Sequence, residues 1–127
     1  MAENVVGWFE VPVRNMERAI KFYETVLGLS LSPQDMGGVQ MAWFPFVEGS
    51  GAPGSLILDE NFYRPSATDG VLIYFTCPSG DLLNELARVE GAGGKVLQGK
   101  TLIAEEYGYL AICLDTEGNR IALHSAK

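Results

Sequence analysis

The order of hydrophobic periods constrains this chain most. A strand pattern, a helix pattern and three further strand patterns occur in sequence, and the same order returns at an offset of about 64 residues. The repeat is one of periodicity rather than of residue identity. Each half has a single helix, which covers one face of a sheet; the opposite faces must be buried against each other, against a second chain or around a cavity. The predicted class is α+β, built from tandem βαβββ units.

In the first half, "VVGWFEVPV" (5 to 13) reads as a strand with Trp8, Glu10 and Pro12 on one face and Phe9, Val11 and Val13 on the other. The period then turns helical. Asn15 is placed to cap, Met16, Ala19, Ile20, Tyr23, Val26 and Leu27 make one stripe, and Gly28 suits the position after the last turn. Strands are expected at 29 to 32, 39 to 46 and 55 to 60, separated by the turn-rich "PQDMGG" and "EGSGAPG". Residues 61 to 70 read as a connection.

The second half repeats the order with a strand at 71 to 77 and a helix from about Ser79, its expected cap, to Glu90, with Leu82, Leu83, Leu86 and Val89 as its stripe. Strands at 95 to 98, 109 to 115 and 120 to 125 follow. The expected organisation is one domain over 1 to 127, with units at about 5 to 60 and 71 to 125.

A chain of 127 residues buries about two thirds of its unfolded surface, enough for one core. Its net charge of -7 opposes nucleic acid as a partner, since phosphate affinity needs clustered Lys and Arg. "MAENVVGWFE" has neither a basic region nor a long apolar run, and no stretch is apolar enough to span a membrane, so a cytoplasmic protein is expected. Cys77 and Cys113 lie in apolar strands without CxxC spacing and read as buried, reduced thiols. "EGSGAPGS" lacks the ending of a phosphate-binding loop and reads as a flexible rim. "AEEYG" (104 to 108) reads as a lid or a solvated loop. No nucleophile elbow is present.

The stretches "WFEVPVRNMERAIKFYETVLG" and "GYLAICLDTEGNRIALHS" carry the patterns FYxxVLG and DxEGNxIxL in that order. On these the chain resembles the vicinal oxygen chelate superfamily, which includes glyoxalase I, extradiol dioxygenases, and fosfomycin- and bleomycin-resistance proteins. With its "WFE" opening and "LHS" ending it looks most like the small uncharacterised glyoxalase-like bacterial members. The resemblance implies two curved mixed sheets around a cup-shaped cavity, a homodimer, and a small-molecule ligand.

Metal ligands of that superfamily come from the first and last strands of each unit. Carried over by position, those places hold Trp8, Leu58, Leu72 and Ala122, none of which coordinates a divalent ion, so no metal is predicted there. Two residues further along each strand, about 6.6 Å away on the same face, stand Glu10, Glu60, Tyr74 and His124. A displaced site for Zn, Ni, Mn or Fe would use Glu10, His124 and Glu60.

Glu10 interrupts an apolar strand, where a carboxylate must be paired, hydrogen-bonded or protonated. It reads either as a solvated or Arg-paired acid at the cavity mouth or as a general base, with His124 or Tyr74 assisting. His124, the only histidine, is otherwise a polar residue in a late strand. Trp8, Trp43, Phe44 and Tyr109 would line a flat pocket for a planar ligand, or pack as ordinary core. Two functions follow as expectations: a lyase or isomerase step begun by Glu10, and sequestration of an unchanged ligand as in bleomycin-resistance proteins.

Overall fold

The computed structural model describes residues 5–127, so the first four residues of the stretch read for a leader lie outside it. Unit 1 comprises β1 (Phe9–Pro12), α1 (Met16–Leu27), β2 (Ser32–Met36), β3 (Val39–Trp43) and β4 (Gly54–Leu58). Unit 2 comprises β5 (Ile73–Thr76), α2 (Leu82–Val89), β6 (Lys95–Ala104), β7 (Gly108–Leu114) and β8 (Arg120–Ser125). Each unit forms one four-stranded mixed sheet, in the orders β1-β4-β3-β2 and β5-β8-β7-β6, with the first and last strands of the unit parallel. The α+β class and the tandem βαβββ arrangement hold, and the two sheets do not close on each other.

α1 forms where expected, and for the expected reasons. The Asn15 side chain accepts from the Arg18 N–H at 3.0 Å, and Gly28 ends the helix in the left-handed region. The buried stripe includes Phe22, while Ile20 is only half-buried. α2 is shorter than the expected Ser79–Glu90, and its cap is Asp81, which accepts from the Leu83 N–H. The shift carries a different residue inward: Glu85 is fully buried and Leu83 is exposed. Glu85 is tolerated there because the Ser79 N–H and hydroxyl donate to it at 3.0 and 2.7 Å and Arg88 lies at 3.7 Å.

Two strands differ from expectation. "PQDMGG" is mostly strand, since β2 runs from Ser32 through Pro33 to Met36, and only Gly37 and Gly38, both at positive φ, make the turn. Pro33 is accommodated because β2 is an edge strand. β6 continues to Ala104 through three register shifts against β7, again at a sheet edge. "AEEYG" is the tight turn between them, closed by a bond from the Tyr107 N–H to the Ala104 carbonyl at 3.1 Å.

Both helices lie over one continuous core, which takes Val11, Val13, Ala42 and Leu56 from the first sheet and Phe75, Ala111, Cys113, Ile121 and Leu123 from the second. The turn between β7 and β8 ties the units together. Glu117 accepts from the backbone N–H groups of Arg14 and Asn15 at 2.7 and 2.8 Å and from the Arg18 guanidinium at 2.7 Å. Asn119 donates to the Pro12 carbonyl at 2.7 Å, and the Tyr23 hydroxyl donates to Asp115 at 2.6 Å. These bonds fix the end of β1 and the start of α1, and so set the residues on the other face of β1.

Candidate functional site

That other face carries Glu10. Val11 and Val13 point to the core, so alternation leaves Glu10, Trp8 and Pro12 on the side away from the helices. The register continues the row: Glu10 pairs with Ser55 of β4, and Ser55 pairs with Trp43 of β3. Glu10, Ser55 and Trp43 therefore stand side by side on one face across three strands.

Glu10 is half-buried and held at both oxygens. The Tyr63 hydroxyl donates to Oε1 at 2.6 Å and the Trp8 indole N–H donates to Oε2 at 3.3 Å. The bond to Glu10 is the largest cause that raises the Tyr63 pKa, with desolvation adding to it, so the phenol stays protonated as the donor. Trp8 meets Trp43 edge to face, centroids 5.7 Å apart at 77°. Two polar atoms beside this group are buried without a partner: Trp43 Nε1 and Ser55 Oγ.

A cavity of about 180 Å³ opens next to Glu10, lined also by Pro12, Arg64, Val71, Ile73 and Arg120. A larger crevice of about 560 Å³ runs along the seam between the units, lined by Phe9, Phe44, Phe46, Ile73, Tyr74 and Phe75. Phe44 and Tyr74 thus belong to the crevice, and Glu10 to the smaller cavity.

The other expected site residues are dispersed. His124 sits on the open face of the second sheet with Tyr74 and directs Nε2 to the Tyr107 carbonyl at 2.6 Å, which makes Nε2 the protonated nitrogen. Its hydrogen bond is therefore to a turn and not to Glu10. Tyr109 faces the helix side: it packs against the core, with Lys100 Nζ 4.5 Å from its ring centre. Glu60 follows β4 in an exposed turn and lines a separate pocket with Arg14, Asn61 and Arg64.

The β4 register also differs from the expected alignment, by five residues: Glu10 stands opposite Ser55 and not Glu60. Ser55 and Ile57 share the face of Glu10, whereas Leu58 packs against the core, because a shift by an odd number of residues reverses a strand's faces. Trp8, Leu58, Leu72 and Ala122 supply no donor at the superfamily's metal positions, and among the described residues no three of His, Cys, Asp and Glu gather as a ligand set. These residues do not fit a resident divalent ion, and Glu10, His124 and Glu60 do not assemble one.

Tyr63 is the site residue that sequence reasoning missed. It falls in the stretch read as a connection, and its only local signal was an aromatic side chain between turn residues in "NFYRP".

The model of the Glyoxalase/Bleomycin resistance protein/Dioxygenase superfamily matches residues 5–123. The chain belongs to this superfamily. Among solved structures, a glyoxalase I mutant from Zea mays is 21% identical with a TM-score of 0.72, covering 94% of this chain and 45% of its own, so the chain spans about half of that protein's length. A hypothetical protein from S. aureus is 20% identical, TM-score 0.70, with 98% and 95% covered. TnmS3, an antibiotic binding protein from a Streptomyces species, is 26% identical, TM-score 0.62, with 100% and 99% covered. No curated protein matches the chain. Among the described residues, no helix of this superfamily member is long and apolar enough to cross a membrane.

Proposed function

We propose that this glyoxalase-superfamily protein binds a small planar organic molecule on the open face of its first sheet, with Glu10 as the polar centre and Trp8 and Trp43 as flat apolar walls. The observation that carries the reading is the half-buried Glu10 carboxylate, held by Tyr63 and Trp8 beside an indole pair and opening on a cavity. The likeness to an antibiotic binding protein over nearly the whole of both chains supports a binding role. The protein works in the cytoplasm, where its two buried free thiols stay reduced. It pairs as a homodimer through the second sheet's open side, where Tyr74 is half exposed.

A lyase or isomerase step is the second reading, favoured by the 2.6 Å bond between Tyr63 and Glu10, which gives a base at Glu10 an adjacent proton partner. Tyr63 takes the assisting place first expected of His124 or Tyr74.

The test is a screen of planar small molecules against untagged protein by native mass spectrometry, with the bound compound recovered and identified. Recovery of an unchanged compound supports sequestration, and conversion supports the enzyme. Glu10→Gln is expected to weaken binding about tenfold, the scale of one charge-assisted hydrogen bond, and to abolish any turnover while leaving the fold intact. Unaltered binding and turnover in that variant would remove Glu10 from the site.

A further inference from the structure

We infer that the open face of the first sheet reads one edge of its ligand, an N–H or O–H donor beside a carbonyl acceptor, and that Trp8 is the cover that swings aside to admit it. The inference rests on the proposed binding role of this face and names the chemical class of its ligand.

Neighbouring strands stand about 4.8 Å apart, so the row Glu10, Ser55, Trp43 is an ordered sequence of acceptor, donor and donor. The two donors are the unusual part. Ser55 is 0% exposed and its hydroxyl has no partner, and neither has the Trp43 indole N–H. Native folds seldom leave buried donors unpaired without a reason. Here the two orphans are neighbours, on the same face, beside a carboxylate. A carbonyl oxygen presented to that face would take both donors, and a donor next to it would reach Glu10.

The side chain that meets Trp43 on this face is Trp8. The two rings stand nearly perpendicular, at 77°, and 39% of Trp8 is exposed. It precedes the first ladder residue of β1, and its one side-chain hydrogen bond, to Glu10 Oε2, is long at 3.3 Å. Rotation of this side chain frees Oε2 and uncovers the Trp43 edge together, while Tyr63 keeps hold of Oε1. The pattern also discriminates: a hydrocarbon leaves the donors unpaired, and a carboxylate meets the charge of Glu10.

The chain has two tryptophans, Trp8 and Trp43, so a proton–nitrogen NMR spectrum has two indole N–H signals, both from this site. Trp8→Phe assigns them. The probes are 2-quinolone, whose ring N–H lies beside its C=O, quinoline, which keeps only an acceptor, and naphthalene, which has neither group. We expect 2-quinolone to shift the Trp43 signal downfield and to bind about tenfold more tightly than either control, an advantage that Ser55→Ala removes. We also expect Trp8→Ala to raise the water exchange of the Trp43 indole N–H about tenfold or more, with Trp8→Phe, which keeps a ring, in between.

Equal affinity of the three probes, with both indoles shifting, would overturn the ligand class and leave the binding role standing. Shifts confined to other parts of the protein would overturn both. No shift anywhere up to the solubility of 2-quinolone would overturn the ligand class. A Trp43 N–H that stays protected in Trp8→Ala would overturn Trp8 as the cover.

Discussion

Glu117 is a surface-type residue doing interior work. Burial alone would push its carboxyl upward, but hydrogen bonds from Arg18, the Asn15 N–H, Thr116 and the Arg14 N–H outweigh that and hold its pKa down at about 2. A folded pKa below the ordinary value of 4.5 means that the stabilisation is complete above about pH 4.5 and is lost as pH falls toward 2. Glu117→Gln should therefore cost about 3 kcal/mol at neutral pH. The difference from wild type should narrow between pH 5 and 2, as read from urea midpoints at each pH. A gap independent of pH would mean that the charge is not what stabilises the junction. DxEGNxIxL was legible as a family mark, but the role of Glu117 was not, because its partners lie about a hundred residues away in the chain. Cys77 and Cys113 were legible from local composition, and burial pushes both thiols up to about 12.

Among the elements, β4 has the least room to change. It lies between β1 and β3, and a Cβ added at Gly54 would run into the ring of Phe9. That ring cannot yield freely, since it packs on Phe44 and Phe75 at centroid distances of 5.7 and 6.0 Å. Gly54→Ala is expected to destabilise the protein by about 1–3 kcal/mol through overpacking, measured by chemical denaturation. A neutral result would mean that the Phe9 side chain has another rotamer available. The element-scale reading was secure where local chemistry decides, as at the Asn15 cap and the Gly28 stop of α1. It failed where pairing decides: β2 takes in Pro33 from a stretch expected to turn, β6 runs on from the expected end at 98 to Ala104, and only a partner strand holds these edge strands extended.

For the whole molecule, the open side of the second sheet is the feature to test. Tyr74, half exposed, and Leu110 stand on it, opposite Ala122 and His124. If two copies pair there, light scattering should give about twice the 13.8 kDa chain mass. The pair of substitutions Tyr74→Lys and Leu110→Lys should return the mass to that of one chain. A wild-type protein of single-chain mass at tens of micromolar would overturn the pairing. Because one core takes residues from both units, unfolding is expected to follow a single transition.

The sequence by itself determined the order and type of the elements, the superfamily, the helix caps of unit 1 and the anomaly of an acid in an apolar strand. These are local properties, set by side-chain period, capping chemistry and composition over a few residues. Only the tertiary structure decided that Ser55 rather than Glu60 stands beside Glu10, that Tyr63 rather than His124 is its partner, and that Glu85 and Glu117 are buried. Each of these depends on contacts between distant segments or on a register in which one residue of slip exchanges the two faces of a strand. The period of a sequence does not encode that register, which is set when two sheets and two helices compete for the same core.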